Sequence, residues 1–518
     1  MNLVKDKWIP VKRADGTSDT IAPWEIGAAD NPVVDVTAPR PDFRGALYQF
    51  LIGLVQTAFA PEDDGEWEKK WNTVPKCEEL RNAFEKFSGA FELDAENGPV
   101  FMQDKTITEL DELPIEDLVG GALSSNTRKD NKDLFTKRGT IKSLSPYWAA
   151  LALFNVQTSG VPAWGQHRVG LRPGGPVTTL LRPEEKVVLF QVVWANILTI
   201  EDMNSVPGNK RKTNSSDMFP WLGKIRYSPN KEKTVPLDAN SLQHYWPLPR
   251  RISLLIDKSN TTCDVSGNVV PMGVSKYRRQ VDGVFYADGW IHPLTPYEKK
   301  SNRNFPSAIT GDKLKNGYSI WLPLTIGIGD FNAATVVAKY NSQRFFLFKC
   351  RLWAFGYEAE SANTKAWYES TMPIVKIADN KCLDFIDIVR KSVDAAVTTS
   401  EILIETVKQA WFGEKTKTRK HPKGDYTFIS SAFWETTESA FFSNVEQIRT
   451  AIESDMPIAS ILSEWRKTII SAAEKIFDRL ALNATDEPRN MKRIAKAAKA
   501  LTSDIDKSKS INALKEAT

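Results

Sequence analysis

Histidine and cysteine are scarce in this chain of 518 residues, which has four of each. Cys77, Cys263, Cys350 and Cys382 form no C-x-x-C pair, and no histidine stands near enough in sequence to complete a zinc site; reduced, mostly buried thiols are expected. His167, His244, His292 and His421 are scattered, with no H-E-x-x-H and no H-x-E beside paired cysteines. A G-x-x-x-x-G-K-[ST] phosphate loop is also missing, and Ser159-Gly160 lacks nucleophile-elbow spacing. The remaining Asp and Glu residues are read as a solvated surface. The expectation is a non-enzyme without metal or cofactor.

Long apolar runs are missing too. Met1–Lys7 has none, and Leu47–Ala60 and Val187–Ile200 carry polar breaks and stop short of the roughly 18 to 20 residues that span a bilayer. A soluble, cytoplasmic protein with no membrane partner is expected. Net charge is small, +4 from 68 basic and 64 acidic residues, so attraction to a nucleic acid has to come from local patches. The 42% hydrophobic content is enough for several cores, and a length prior of roughly 150 residues per domain gives about two to four units.

Glycine is nearly absent from the C-terminal part: 26 of 28 precede residue 381, leaving Gly413 and Gly424. There Ile386, Val389, Val393 and Val397 recur at helical spacing, and similar patterns run through Ser430–Ala451, Pro457–Leu482 and Glu487–Leu501. The fold class expected is α+β: a large, irregular mixed α/β N-terminal domain over residues 1–380, then an antiparallel four-helix bundle over 381–518. In the first part, Trp8–Val11, Val177–Leu181, Arg251–Asp257, Gly283–Tyr286 and Ile320–Ile328 read as strands, and Phe43–Ala60 and Tyr147–Gln157 as buried helices.

Acidic residues are absent from Val161 to Arg182, where four glycines, three prolines and Arg168, Arg172 and Arg182 occur instead. Such a segment suits a backbone pressed against phosphates or base edges, with the arginines supplying charge; a Pro/Gly-rich helix-to-strand connection has the same composition. A second patch, Arg128–Lys142, sets six basic residues and two acidic ones around Leu134 and Phe135. Phe135 either stacks on a base or anchors the segment to the core.

The segment Ser159-Gly-Val-Pro-Ala-Trp-Gly-Gln-His-Arg-Val-Gly-Leu-Arg-Pro-Gly-Gly-Pro-Val-Thr-Thr179, preceded by Ala150-Leu-Ala-Leu-Phe-Asn155, resembles the glycine loop of the CasA family, the large subunit of the type I-E CRISPR surveillance complex, Cascade. Asn2–Val11, Ala38-Pro-Arg-Pro-Asp-Phe43, Gly98–Gln103, and Phe355-Gly-Tyr357 with Trp367–Pro373 fit the same family in the same order. The paired cysteines of some relatives are missing here, so no zinc site carries over.

The resemblance implies a protein that reads a short motif in double-stranded target DNA, helps open the duplex for guide-RNA pairing, and works with other Cascade subunits, the small subunits among them, and a recruited helicase-nuclease. Gly165, flanked by Trp164 and Gln166, aligns where the family presents loop backbone to the motif duplex, and Trp164 either alters the accepted motifs or packs the loop base. No lysine stands at the family's minor-groove position, which leaves Arg279, then Arg278 or Lys276, as candidates. The duplex wedge aligns with Ser361, Ala362 and Asn363, beside the unfavourable Glu358 and Glu360. Lys129, Lys132, Phe135, Lys137 and Arg138 map to the loop that contacts guide RNA and DNA. Lys492, Arg493, Lys496 and Lys499 share a helix side with the spacing of a basic surface, matched in the family by contacts to opened DNA and the small subunits. The alternatives are an accessory nucleic-acid-binding scaffold of another bacterial defence complex, or a hydrolase with dispersed site residues.

Overall fold

The computed structural model describes all residues except 97, 109, 121–128, 130, 132–134, 161–169, 173, 206–213, 288, 361–362, 416–419, 484–489 and 517–518. The chain divides into two compact units: Met1–Asp312 with Asp330–Thr371, and Lys313–Gly329 with Met372–Thr518. The first is mixed α/β and the second is helical.

Two apolar helices organise the mixed unit. Helix α1 (Pro41–Ala58) is followed by the short α2 (Asp64–Asn72) and α3 (Cys77–Glu85), then by α4 (Pro146–Ser159). Both α1 and α4 are apolar on nearly every side, so they lie buried, as sequences without a polar face must. Ser145 starts α4, its Oγ accepting the Trp148 N–H at 3.3 Å, with Pro146 at the first helical position where no N–H is needed. The ring of Phe50 on α1 meets Trp8, Phe91, Phe101, Phe154 and Trp246 edge-on, with centroids 5.5 to 6.2 Å away. That geometry matches the aromatic quadrupole and brings five distant segments onto one helix.

Small sheets surround these helices. β1 (Ile9–Arg13) pairs with β2 (Ser18–Ile21) and β3 (Val33–Val36). β4 (Leu113–Pro114) and β6 (Arg251–Asp257) flank β9 (Gly273–Gln280), with Tyr277 opposite both Leu113 and Leu254. Beyond β6 lies the ladder of β7 (Thr261–Thr262) with β8 (Val269–Val270). β10 (Tyr297–Glu298) is bordered by β11 (Ser307–Ala308) and β12 (Phe331–Asn332). β13 (Cys350–Glu360) lies between β5 (Thr178–Pro183) and β14 (Asn363–Pro373), antiparallel to β5.

The helical unit contains α5 (Cys382–Phe412), α6 (Thr427–Glu453), α7 (Ala459–Asn483), α8 (Met491–Lys507) and the short α9 (Lys509–Glu516). Helix α5 touches each of the other four, and Trp465 on α7 donates its Nε1–H to the Ser392 carbonyl at 3.0 Å. The run Ile320–Ile328, expected as a strand, instead contains a helical turn at Trp321–Thr325. Its aromatic side chains explain the difference. Tyr318 stacks on Phe441 at 4.1 Å and Trp321 lies near Phe385 and Phe441, so the run fills a helical core; an apolar stretch this short has no periodicity to reveal that. Gly283–Tyr286 forms no strand either, only a bridge from Tyr286 to Thr234.

Phe50→Ala is expected to cost about 3–5 kcal/mol of unfolding stability, because the surrounding rings cannot collapse onto the cavity. Urea unfolding of the full chain, followed by tryptophan fluorescence, measures this; a loss below about 1 kcal/mol would show that the cluster does not depend on this ring.

Candidate nucleic-acid interface

A buried carboxylate joins three of the candidate segments. Asp42, in the first turn of α1 and fully buried, accepts Arg40 Nε at 3.0 Å, Arg40 Nη2 at 3.1 Å and the Tyr357 hydroxyl of β13 at 2.9 Å. The same hydroxyl oxygen accepts the Asn155 side-chain N–H of α4 at 2.6 Å. Burial and the neighbouring Asp42 hold the Tyr357 pKa well above its ordinary value, so the hydroxyl remains a donor. Phe135 packs onto this cluster, edge-on to Tyr357 at 5.8 Å and under the Arg40 guanidinium at 5.4 Å. Gly120, at φ +83°, gives the ring its space: a Cβ there would lie 2.7 Å from Phe135 Cδ1. Of the two roles open to Phe135 in the sequence, the geometry shows the anchoring one.

The rest of the basic segment hangs from that anchor. The Gly139 N–H donates to Glu116 at 2.6 Å, and Arg138 to Asn131 at 3.0 Å. Leu144 bridges to Val274 on β9, and the Lys142 and Ser143 amides donate to Asp264. Lys129, Lys137 and Arg138 are exposed; Lys132 lies outside the described residues. The segment is therefore tied to β9 at one end and to β13 through Phe135.

On β9 the candidate cations alternate between faces, as strand geometry requires. Lys276 and Arg278 share one face and both reach Glu112, at 3.0 and 2.9 Å, while Arg279 takes the other. These two cations are thus half-neutralised by a carboxylate that the sequence reading did not pair with them. Ser361 and Ala362 lie outside the described residues, and Asn363 is the first residue of β14. Glu358 accepts the Tyr368 hydroxyl at 3.2 Å across the sheet.

Gly165, Trp164, Gln166 and Arg168 lie outside the described residues. Of the other two arginines of that acid-free stretch, Arg172 supplies no surface charge, contrary to expectation, and Arg182 is only partly exposed. Arg172 is 2% exposed and spends its guanidinium on four neutral oxygens. Arg182 pairs with Asp35 at 3.5 Å and stacks over Tyr48 and Trp353. A guanidinium offers up to five donors in a planar fork, which suits framework as well as ligand binding.

In the helical unit, Lys492, Arg493, Lys496 and Lys499 all lie on α8. Lys492 and Lys499 are exposed, whereas Lys496 pairs with Glu414 at 2.9 Å. Arg493 donates to the Ala410 carbonyl at 2.7 Å in the last turn of α5, where the helix dipole favours a cation. A shallow cavity of about 240 Å³ beside them is lined by Gln409, Glu414, Asn490, Lys492, Arg493 and Lys496.

Among the described residues, no three His, Cys, Asp or Glu side chains are grouped to hold a metal, and no helix is long and apolar enough to cross a membrane. Cys263 and Cys350 are buried, and the buried His244 and His292 are held neutral by desolvation, His244 with a pKa of about 4.

The fold and this arrangement define a two-unit, mixed α/β and helical protein with cationic surface segments. The family model for CRISPR-associated protein Cse1 matches residues 2–476, and the chain belongs to that family. It is similar to the solved Cse1 of Acidimicrobium ferrooxidans, with 15% identity and a TM-score of 0.65 over 100% of this chain and 98% of that one. It is also similar to CasA of Thermus thermophilus, with 16% identity and a TM-score of 0.62 over 98% and 100%. A chain of a structure titled "CRISPR RNA-guided surveillance complex" matches with 15% identity and a TM-score of 0.62 over 97% and 99%.

The strand β6 that supports β9 is pinned by Asp104, which is 1% exposed and accepts Arg251 Nε at 2.6 Å and the Tyr227 hydroxyl at 2.8 Å. Desolvation pushes its pKa up, but the hydrogen bonds from Thr106, Arg251 and Tyr227 outweigh it and leave the pKa below the ordinary value. A depressed carboxyl contributes stability above its unfolded value, about 3.9, and loses it as pH falls through the lower folded value. Asp104→Asn should therefore cost about 1–3 kcal/mol at pH 7 and progressively less towards pH 3. Urea midpoints of both proteins across that range test this; an equal deficit throughout would exclude the charge as the cause.

Proposed function

We propose that the chain is the non-catalytic large subunit of a type I-E CRISPR RNA-guided surveillance complex, Cascade. In this reading it recognises the protospacer-adjacent motif in double-stranded target DNA, promotes duplex opening for guide-RNA pairing and supports recruitment of a separate helicase-nuclease. The observation that carries the reading is membership of the Cse1 family over residues 2–476. Likeness to a chain from a surveillance complex supports a place among other Cascade subunits and guide RNA. Binding of a short motif locally weakens the duplex, after which base pairing reads the sequence, so the protein needs positioning and charge rather than a nucleophile.

Roles follow for the named residues. Gly165, between Trp164 and Gln166, brings backbone to the motif from the minor groove, whose degenerate edge pattern favours acceptance of several motifs. Arg279, with Arg278 and Lys276, supplies the groove-inserted cation, and Ser361–Asn363 the wedge. Lys129, Lys132, Lys137 and Arg138 contact guide RNA and nearby DNA, with Phe135 setting their segment. Residues 1–380 act as the recognition domain. Residues 381–518 act as an antiparallel four-helix bundle whose Lys492, Arg493, Lys496 and Lys499 face opened DNA and the small subunits. The cytoplasm is the setting this work requires.

Gly165→Asp is expected to weaken binding of motif-bearing duplex by the assembled complex about a hundredfold while leaving its melting temperature unchanged, because a carboxylate both fills the contact gap and repels phosphate. Gly165→Ala should lose less. Unchanged affinity in a normally folded Gly165→Asp complex would remove the glycine segment from the mechanism. Lys129→Ala and Lys137→Ala should weaken all duplexes and each reduce the salt slope by about one unit.

Glu112→Gln is expected to act oppositely, strengthening duplex binding and steepening the salt dependence by about one unit as Lys276 and Arg278 lose their counter-charge. Filter binding between about 50 and 200 mM salt, the range over which such terms separate, measures both effects. A flat response to Glu112→Gln would place these two cations away from the DNA.

A further inference from the structure

We propose that a cleft on the β5–β13–β14 sheet is a binding site for a phosphate monoester carried on a hydroxyl-bearing group, such as a sugar phosphate or a nucleotide, with Arg351 as its principal anion-binding residue. The site shares no residue with the DNA-contacting set proposed above and does not depend on that reading.

A like-charge pair points to it. Arg351 of β13 stands directly opposite Arg182 of β5 in the antiparallel ladder, on the face that also carries Trp353 two residues further on. Like charges in that relation destabilise a sheet. Arg182 is answered by Asp35 at 3.5 Å. Among the described residues Arg351 has no carboxylate partner; its Nη2 donates to the Thr371 carbonyl of β14 at 2.9 Å. A cation set against a cation without a counter-charge is a cost to the fold, and an anion beside the two removes that cost.

There is room for such an anion. A cleft of about 580 Å³ is lined by Arg351, Arg182 and Trp353, by Arg44 of α1, and by Glu184 and Glu369. That volume falls within the roughly 300 to 1,000 Å³ of small-ligand sites. The Arg44 guanidinium gives its Nη2 to Asp35 at 2.8 Å and lies over Trp353 at 5.1 Å, while Arg182 lies over the same ring at 5.5 Å. An aromatic face holds a guanidinium in place and leaves its N–H edge for hydrogen bonds. Three arginines against the one carboxylate they share, Asp35, leave two positive charges over. A phosphate monoester carries about −1.5 to −2 at neutral pH and offers three acceptor oxygens to the guanidinium forks, whereas a carboxylate has a single charge and two oxygens.

The rim selects what the phosphate is attached to. Glu184 and Glu369 are exposed at the cleft and repel a second phosphate, which disfavours diphosphates and nucleic-acid strands. The same carboxylates accept hydrogen bonds from sugar hydroxyls. A base finds no stacking surface, because Trp353 is 3% exposed and already lies against two arginines.

Isothermal titration of the full-length chain at low salt tests the site, with inorganic phosphate, ribose 5-phosphate, AMP, ADP, a 5′-phosphorylated trinucleotide and triglutamate as probes. Ribose 5-phosphate should bind more tightly than inorganic phosphate. AMP should gain less than about fivefold over ribose 5-phosphate, the least that a stacked base contributes. ADP and the trinucleotide should bind more weakly than AMP, and the double change Glu184→Gln with Glu369→Gln should narrow that difference. Arg351→Gln should weaken ribose 5-phosphate about tenfold or more, as loss of a charge-assisted hydrogen bond does. It should not lower the melting temperature of the unliganded chain, because the like charge opposite Arg182 goes with it. If that variant fails to melt cooperatively, Arg351→Lys, which keeps the charge and loses the planar fork, should weaken ribose 5-phosphate in its place. No saturable binding to the wild-type chain, or binding unchanged in a folded Arg351 variant, overturns the site. Tighter binding of the trinucleotide than of AMP overturns the monoester assignment. Tighter binding of triglutamate than of ribose 5-phosphate also overturns it, and makes the cleft a dock for an acidic protein segment.

Discussion

The mixed α/β unit depends on one buried carboxylate. Asp42 sits where a helix N-terminus favours negative charge and is answered by Arg40 and the Tyr357 hydroxyl, which in turn holds Asn155. Removing any of these groups would leave another polar group buried without its partner, which is why such clusters hold their geometry firmly. Helix α1, helix α4 and strand β13 are thereby set in register. Phe135, and with it the basic segment, rests on the same side chains.

Positive charge is distributed with economy. Arg172, Arg182 and Arg250 are framework, spent on carbonyls, hydroxyls, Asp35 and aromatic faces. Lys276 and Arg278 are tempered by Glu112, and Lys496 by Glu414. Among the candidate cations, Lys129, Lys137, Arg138, Lys492 and Lys499 are exposed to solvent. With a net charge of only +4, the protein has no strong overall field, so its attraction for any polyanion is set by local surfaces.

The short strings that carried the family resemblance have a physical meaning in three dimensions. Asp42 lies in Ala38–Phe43, Asn155 in Ala150–Asn155 and Tyr357 in Phe355–Tyr357, and these three meet in one hydrogen-bonded cluster. Gln103, from Gly98–Gln103, accepts the Leu254 N–H of β6 at 2.7 Å, and Trp8, from Asn2–Val11, stands against Phe50. These strings contribute to one buried framework, which the linear order of the chain conceals.

Some features were legible in the residues alone. The helical character of the C-terminal part followed from apolar spacing and the loss of glycine, and α1 and α4 from long runs that could only be buried. β1, β5 and β6 were legible from their β-rich composition. Local periodicity records which face of an element is buried, so features of this kind are written into short stretches of sequence. Partner choice is not. That Glu112 answers Lys276 and Arg278, that Arg172 turns inward, that Phe135 rests on Arg40, and that Trp321–Thr325 coils rather than extends were decided by residues tens to hundreds of positions away. A cation reads the same in a sequence whether it ends on a carboxylate, a carbonyl or a phosphate, and only the tertiary structure brings one of these within about 3 Å of it.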